Sequence, residues 1–341
     1  MTINANDNRD FNESGDLGER NDIDVRAEFA AFGVSRGTLS ATEFAELLEK
    51  TGARLVGVTG RRHIVPEAWG AVESAARTAS RALVAAAEET GRPICVATWL
   101  AIGADQLAAK LVLEARAEAA ARGEASPLLL VALLPMSVAE YSSDFSTKPG
   151  TGETASASEL DDFNRYLASA DLVVEIEPTA ANVERTQRGE SPDRMAQYAA
   201  LGDFLVERSR LLWAFWSGDA SNVKPGGTTD VVLRKTRRLA NVGSVEDLGV
   251  VGTVDVAEKL GLANVGGVVS KGAAEAVCCV ATPEVLRFKN PDGTKTRVPE
   301  STENAGKLAF WTSPLDVAPP KFESPENVAE RLKRFVKTWN A

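Results

Sequence analysis

The chain has 341 residues, enough for one large domain or two smaller ones, and 44% of them are hydrophobic, so a substantial core is available. The 48 acidic residues outnumber the 38 basic ones and leave a formal net charge of -10. That balance argues against nonspecific nucleic-acid binding, which needs many lysine and arginine contacts to phosphate.

The first residues, MTINANDNRDFNESGDLGERND, are polar and contain no apolar core segment, so residues 1–24 read as a disordered tail without a signal peptide. No apolar stretch reaches the roughly 20 residues that span a bilayer. A cytoplasmic protein with no membrane contact is expected. Two short helices follow, over 25–32 and 41–50, the second with Ser40 or Thr42 as its cap. They make residues 25–52 an N-terminal helical segment.

From residue 53 short apolar runs alternate with amphipathic stretches. Strands are expected at 55–58, 94–98, 128–134, 172–176, 211–216 and 277–281, and helices at about 67–90, 104–122, 157–169, 192–208 and 228–239. Nearly continuous apolar strands alternating with helices imply an α/β fold: a doubly wound parallel sheet with helices on both faces. Residues 142–159 and 178–193 are polar and read as surface loops. Residues 240–273, rich in glycine and valine with one short helix near 254–262, read as an insertion in a domain spanning 53–283. The remainder, 284–341, reads as an extension: a β-hairpin around Asp292-Gly293 and a closing helix over 325–339. Cys95, Cys278 and Cys279 lie in apolar runs and read as reduced, buried thiols.

Ligands of doubly wound sheets bind beyond the carboxyl ends of the strands. There the sequence places Thr59-Gly60-Arg61-Arg62, then Ile102-Gly103-Ala104-Asp105, then Ser217-Gly218-Asp219 and Pro225-Gly226-Gly227-Thr228. Glycines let a backbone approach a ligand closely, and helix N-termini favour phosphate or carboxylate. Gly226-Gly227-Thr228 is also compatible with a plain tight turn, and it is not a Walker A loop. The arginines are either solvated charges or phosphate ligands, guanidinium geometry suiting two oxygens. Asp105 is either an N-cap or a ligand contact. Asp230 is either a first-turn dipole partner or a ribose-hydroxyl acceptor. Trp216 is either core or a platform for a base. His63 is the single histidine and reads as packing. A histidine-based zinc site or a Ser–His–Asp triad is hard to build from it. No metal and no cofactor are expected.

The segments VGVTGRRHI, AIGADQLAA, LLPMSVAEYSSDF, FNRYLASADLVVEI, QYAALGDFLVERSRLLWAFWSGD and KPGGTTDVV resemble, in order and spacing, bacterial SLOG proteins. That Rossmann-like superfamily includes Lonely Guy enzymes, DNA-processing protein A and the ligand-sensing domains of TRPM channels and some anti-phage effectors. The resemblance covers about residues 53–239, with the strand near 277–282 as a continuation. It implies a nucleotide pocket built from Thr59, Gly60, Arg61, Arg62, Gly103, Ala104, Asp105, Gly226, Gly227, Thr228 and Asp230, to which Trp216 is added as the stacking candidate. Two departures stand out. Arg61 occupies the place of a histidine common in relatives. The glutamate that follows Pro-Gly-Gly-x-Gly-Thr in Lonely Guy enzymes is absent, Asp230 being the nearest acid.

The leading expectation is a sensor of a nucleotide or nucleotide-derived ligand in bacterial stress or anti-phage signalling, acting as a homo-oligomer or through a partner effector protein. The alternative is a hydrolase of a nucleotide N-glycosidic bond with Asp105 or Asp230 as weak catalytic candidates. A second alternative is a structural or partner-binding protein with a vestigial pocket.

Overall fold

A computed structural model of the chain describes residues 24–145, 157–186, 192–220, 223–240, 275–289, 295–311, 323–337 and Trp339. The polar tail, the 240–273 insertion with its short helix (apart from residue 240) and the turn at Asp292-Gly293 lie outside the described residues.

The elements run α1 (Val25–Arg36), β1 (Thr38–Ser40), α2 (Ala41–Thr51), β2 (Arg54–Gly60), α3 (Trp69–Thr90), β3 (Ile94–Thr98), α4 (Ala104–Ala121), β4 (Leu128–Leu134), α5 (Val138–Ser142), α6 (Ala157–Ala168), β5 (Leu172–Glu175), α7 (Ala180–Thr186), α8 (Pro192–Arg208), β6 (Leu211–Trp216), α9 (Thr228–Ala240), β7 (Ala276–Ala281), β8 (Val285–Lys289), β9 (Lys295–Pro299), β10 (Leu308–Trp311) and α10 (Pro325–Lys337). Eight strands form one sheet in the order β1-β5-β4-β3-β2-β6-β7-β10. All neighbours are parallel except β10, which runs antiparallel to β7. The antiparallel pair β8–β9 stands apart from it.

Alternation along each strand builds two cores. Val56, Val58, Val96, Trp213 and Phe215 face α3, α4, α6 and α10. Leu55, Cys95, Ala97, Leu212 and Trp216 face α1, α2, α8 and α9. Strands buried on both faces give the continuous apolar runs seen in the sequence. The result is a Rossmann-like, doubly wound α/β architecture with a C-terminal hairpin and helix. The three cysteines are free and buried, and burial pushes the Cys279 thiol up to about 12.

Several local features differ from the sequence reading or sharpen it. Ser40 rather than Thr42 caps α2, exchanging hydrogen bonds with Glu43 in a capping box. Helix α7 stands inside the segment 178–193 read as a loop. It forms because Thr179 and Asn182 cap each other, and Asn182 Nδ2 donates to Asp203 on α8 at 2.6 Å. Strands β1 and β10 are additions at the sheet's two edges. The three-residue β1 buries one side chain, Leu39, too little to give a periodic signal.

Strand order fixes the functional geometry. The chain walks from β2 through β3 and β4 to β5, then returns to place β6 on the other side of β2, paired from Val56↔Leu211 to Gly60↔Phe215. The reversal opens a crevice beyond the carboxyl ends of β2 and β6.

Candidate functional site

Strand β2 ends at Gly60, where no side chain fits. An added Cβ would lie 2.3 Å from the Ala104 Cβ and 3.0 Å from the Phe215 Cβ. The β2 loop and the start of α4 are therefore pressed together. Gly103 caps α4 with φ 90°, and an added Cβ there would meet the carbonyl oxygens of Arg62 and Arg61 at 2.5 and 2.6 Å. The first amides of α4 are consumed by the protein itself. Ala104 N–H donates to Arg61 O, Gln106 N–H to Ala101 O and Leu107 N–H to Gly103 O. This helix end braces the arginine loop and offers those amides to no ligand.

The two arginines part ways. Arg61 Nη1 pairs with Glu284 Oε2 at 2.9 Å, with side chains only 11% and 19% exposed, and its Nη2 lies 3.4 Å from Thr229 Oγ1. Arg61 ties the β2 loop to β8 and α9, a link reinforced by Val285 N–H donating to His63 O. Arg62 is half-buried and meets no carboxylate within ion-pair range among the described residues. Its Nη2 donates to the Tyr198 hydroxyl at 3.4 Å, and the guanidinium sits 5.8 Å from the centre of that ring.

Around Arg62 lies a polar group that the sequence reading did not single out. Tyr198 donates to Asp144 Oδ2 at 2.5 Å, and Arg194 pairs with the same carboxylate. Burial opposes ionisation of Asp144, but Arg194 and the Tyr198 hydroxyl outweigh it and hold the carboxyl below its usual range. The Tyr141 hydroxyl and the Trp99 indole N–H are buried without hydrogen-bond partners among the described residues. Trp99 stacks on Tyr198 at 6.2 Å, and Leu100 beside it has φ 56°.

Asp105 lies in the first turn of α4 rather than at its cap, the cap being Gly103. Its carboxylate turns back to β3, accepting from the Thr98 hydroxyl at 3.2 Å and Trp99 N–H at 3.4 Å. It is 2% exposed, and burial pushes its carboxyl up to about 7 against the opposing pull of these hydrogen bonds and of Arg62. Asp230, 1% exposed, accepts from Gly226 N–H at 2.7 Å, and burial raises its pKa.

Gly226, with φ 71°, closes a turn in which Gly227 N–H donates to Lys224 O at 2.8 Å. Proline at the second position and positive φ at the third are the marks of a type II turn. Here, too, a Cβ would collide with backbone, 2.3 Å from the Tyr198 carbonyl carbon and oxygen. The turn delivers half-buried Thr228 and buried Thr229 to the N-terminus of α9. Trp216 is 4% exposed, and its indole N–H donates to Asp219 O and Thr229 Oγ1, so it fixes α9 and leaves little ring face open. Thr59 is buried in β2. The predicted residues thus gather at one edge of the sheet, but of the twelve only Arg62 and Gly103 line the open cleft beside them.

Open space lies on the other side of Arg62. A cleft of about 480 Å³ is lined by Arg62, His63, Gly103, Gln106, Lys110, Trp69, Asp162, Tyr166 and Arg297, among others. Trp69 is 39% exposed and Tyr166 is buried. Gln106 and Lys110, four apart on α4 and so on one face, are a signal for this wall that the sequence reading did not use. Among the described residues no three His, Cys, Asp or Glu side chains gather as a metal ion would require. No helix among them is long and apolar enough to cross a membrane. No protein-family model matches the chain, and a search of curated proteins finds no match.

Proposed function

We propose that this protein binds a nucleotide or nucleotide-derived ligand in the cleft beside Arg62, as a sensor. The observation that carries the reading is Arg62 itself: a half-buried guanidinium at the carboxyl edge, bordering a cleft, whose one side-chain hydrogen bond among the described residues is a long one to Tyr198. Among the described residues no carboxylate pairs with it directly, which leaves its donors to an anionic ligand. The volume falls within the roughly 300–1,000 Å³ of small-molecule sites, and the exposed Trp69 offers an aromatic face of the kind that stacks on a base. The resemblance to SLOG proteins points to the same loop.

Binding without turnover is favoured over N-glycosidic hydrolysis because Asp105 and Asp230 are both buried and hydrogen-bonded to backbone amides. On this reading, signal passes through a homo-oligomer or a partner effector. Native mass spectrometry of gently purified protein tests the proposal. The expected result is a co-purified nucleotide that is released on denaturation. Absence of any adduct, together with no calorimetric binding of nucleoside mono- or diphosphates, would overturn it.

A further inference from the structure

Tyr198 stands on α8 between two opposite charges. Its hydroxyl donates to Asp144 Oδ2 at 2.5 Å and accepts from Arg62 Nη2 at 3.4 Å. Chemistry fixes that order: the ionised carboxylate has no proton to give, so the phenol spends its one proton there and turns a lone pair to the guanidinium. Stacking on Trp99, 6.2 Å away with 22° between the rings, holds the plane of the phenol. The Arg62 guanidinium lies 5.8 Å from the centre of the same phenol ring. The Asp144 side chain is only 3% exposed, and Arg194 pairs with its other oxygen. Burial opposes ionisation of Asp144, but Arg194 and the hydroxyl outweigh it and keep the carboxylate charged at neutral pH. A buried carboxylate so near a guanidinium would ordinarily close an ion pair with it. Asp203 does so with both Arg185 and Arg234. Asp144 and Arg62 do not, because the Tyr198 oxygen is bonded to both and stands between them. Arg62 is thus steadied by a negative charge at one remove, while its remaining donors are not spent on that charge and the residue lines the cleft.

We propose that Tyr198 is a positioning residue for the cleft: its hydroxyl, interposed between Asp144 and Arg62, keeps the guanidinium from closing onto the carboxylate and leaves it for an anionic ligand. Tyr198 itself touches no ligand and acts through Arg62. The inference rests on the nucleotide reading and deepens it, by naming what keeps the binding cation from being neutralised within the protein. A closed internal ion pair would have to be broken whenever a phosphate bound, whereas one long hydrogen bond to a neutral oxygen competes only weakly.

The test is Tyr198→Phe, which removes one oxygen and keeps the ring on Trp99, together with Asp144→Asn and the double variant. Wild type and the three variants are titrated calorimetrically with AMP, GMP, CMP and UMP. Without the hydroxyl Arg62 should turn onto Asp144, so Tyr198→Phe should bind the monophosphate that wild type prefers about tenfold more weakly. Adding Asp144→Asn removes the competing charge and should restore most of that loss. Asp144→Asn alone, in which the hydroxyl stays, should bind no more weakly than wild type. A merely structural role for the hydroxyl predicts the opposite order: each substitution would loosen the cluster, and the double variant would bind weakest. Unchanged affinity in Tyr198→Phe, a loss that Asp144→Asn leaves in place, or weaker binding in Asp144→Asn alone would each overturn the proposal while leaving nucleotide binding intact. Wild type that binds none of the four would overturn both readings.

Discussion

Gly103→Ala probes the geometry on which the site depends. The added methyl would sit 2.5 Å from Arg62 O and 2.6 Å from Arg61 O, whereas a comfortable C···O approach is about 3.3 Å or more. Both carbonyls must retreat, and Arg61 O is also the acceptor for Ala104 N–H. A backbone at φ 90°, ψ -120° adds strain of about 1–3 kcal/mol for a residue with a Cβ, and the weakened hydrogen bond adds about 1 kcal/mol. With the clash, a loss of roughly 3–5 kcal/mol is expected. Gly91→Ala is the control: φ is 63° there, but nothing lies within 4 Å of the added carbon, so only about 1–2 kcal/mol should be lost. Urea unfolding followed by tryptophan fluorescence reads both. Equal losses in the two variants, or a Gly103→Ala protein as stable as wild type, would refute the close approach of the β2 loop to α4.

Arg61→Ala should cost about 1–2 kcal/mol of stability, because its partly buried pair with Glu284 is more than a surface contact. A double-mutant cycle with Glu284→Gln should give a coupling near 1 kcal/mol, and zero coupling would contradict the pairing. Asp105 carries a folded-state pKa raised from 3.8 to about 7, so its contribution is complete below about pH 4 and is lost as pH rises through 7. The shift corresponds to on the order of 4 kcal/mol. Asp105→Asn should therefore gain on wild type between about pH 4 and pH 8 in urea midpoints, and a constant difference across that range would refute the shift. The Arg62 charge lowers the Asp105 pKa, so an anion bound at Arg62 should raise it further and draw in a proton near neutral pH. Calorimetry in buffers of different ionisation enthalpy should show uptake in wild type that shrinks in Asp105→Asn; equal uptake in both would contradict the coupling.

The sheet was legible because strands buried on both faces leave unbroken apolar runs, and each of the six expected strands falls within two residues of its observed bounds. The carboxyl-edge loops were legible from Gly60, Gly103 and Gly226, each of which lacks room for a Cβ. Edge strands and polar capped helices were not, since β1 buries one side chain and α7 depends on a contact with Asp203 on another helix. Nor could the sequence separate Arg61 from Arg62. They are chain neighbours, and their fates are set by Glu284 and Tyr198, which lie 223 and 136 residues further along. Tyr141, Asp144 and Tyr198 stood in the segments that carry the SLOG resemblance. That Tyr198 meets both Arg62 and Asp144 is a property of strand order, which spacing along the chain does not express.

The central claim is that Arg62 is a ligand-binding cation rather than a solvated charge, and calorimetric titration of wild type, Arg62→Ala and Arg62→Lys with nucleoside monophosphates tests it most directly. A charge-assisted, forked phosphate contact contributes about 1.5–3 kcal/mol, so Arg62→Ala should bind roughly ten- to a hundredfold more weakly. Arg62→Lys should recover only part of that, because an ammonium cannot fork onto two oxygens. The melting temperature of empty Arg62→Ala should stay close to that of wild type, since Arg62 meets no carboxylate among the described residues and makes one long hydrogen bond. Unchanged affinity in Arg62→Ala, or equal affinity in all three proteins, would contradict the account.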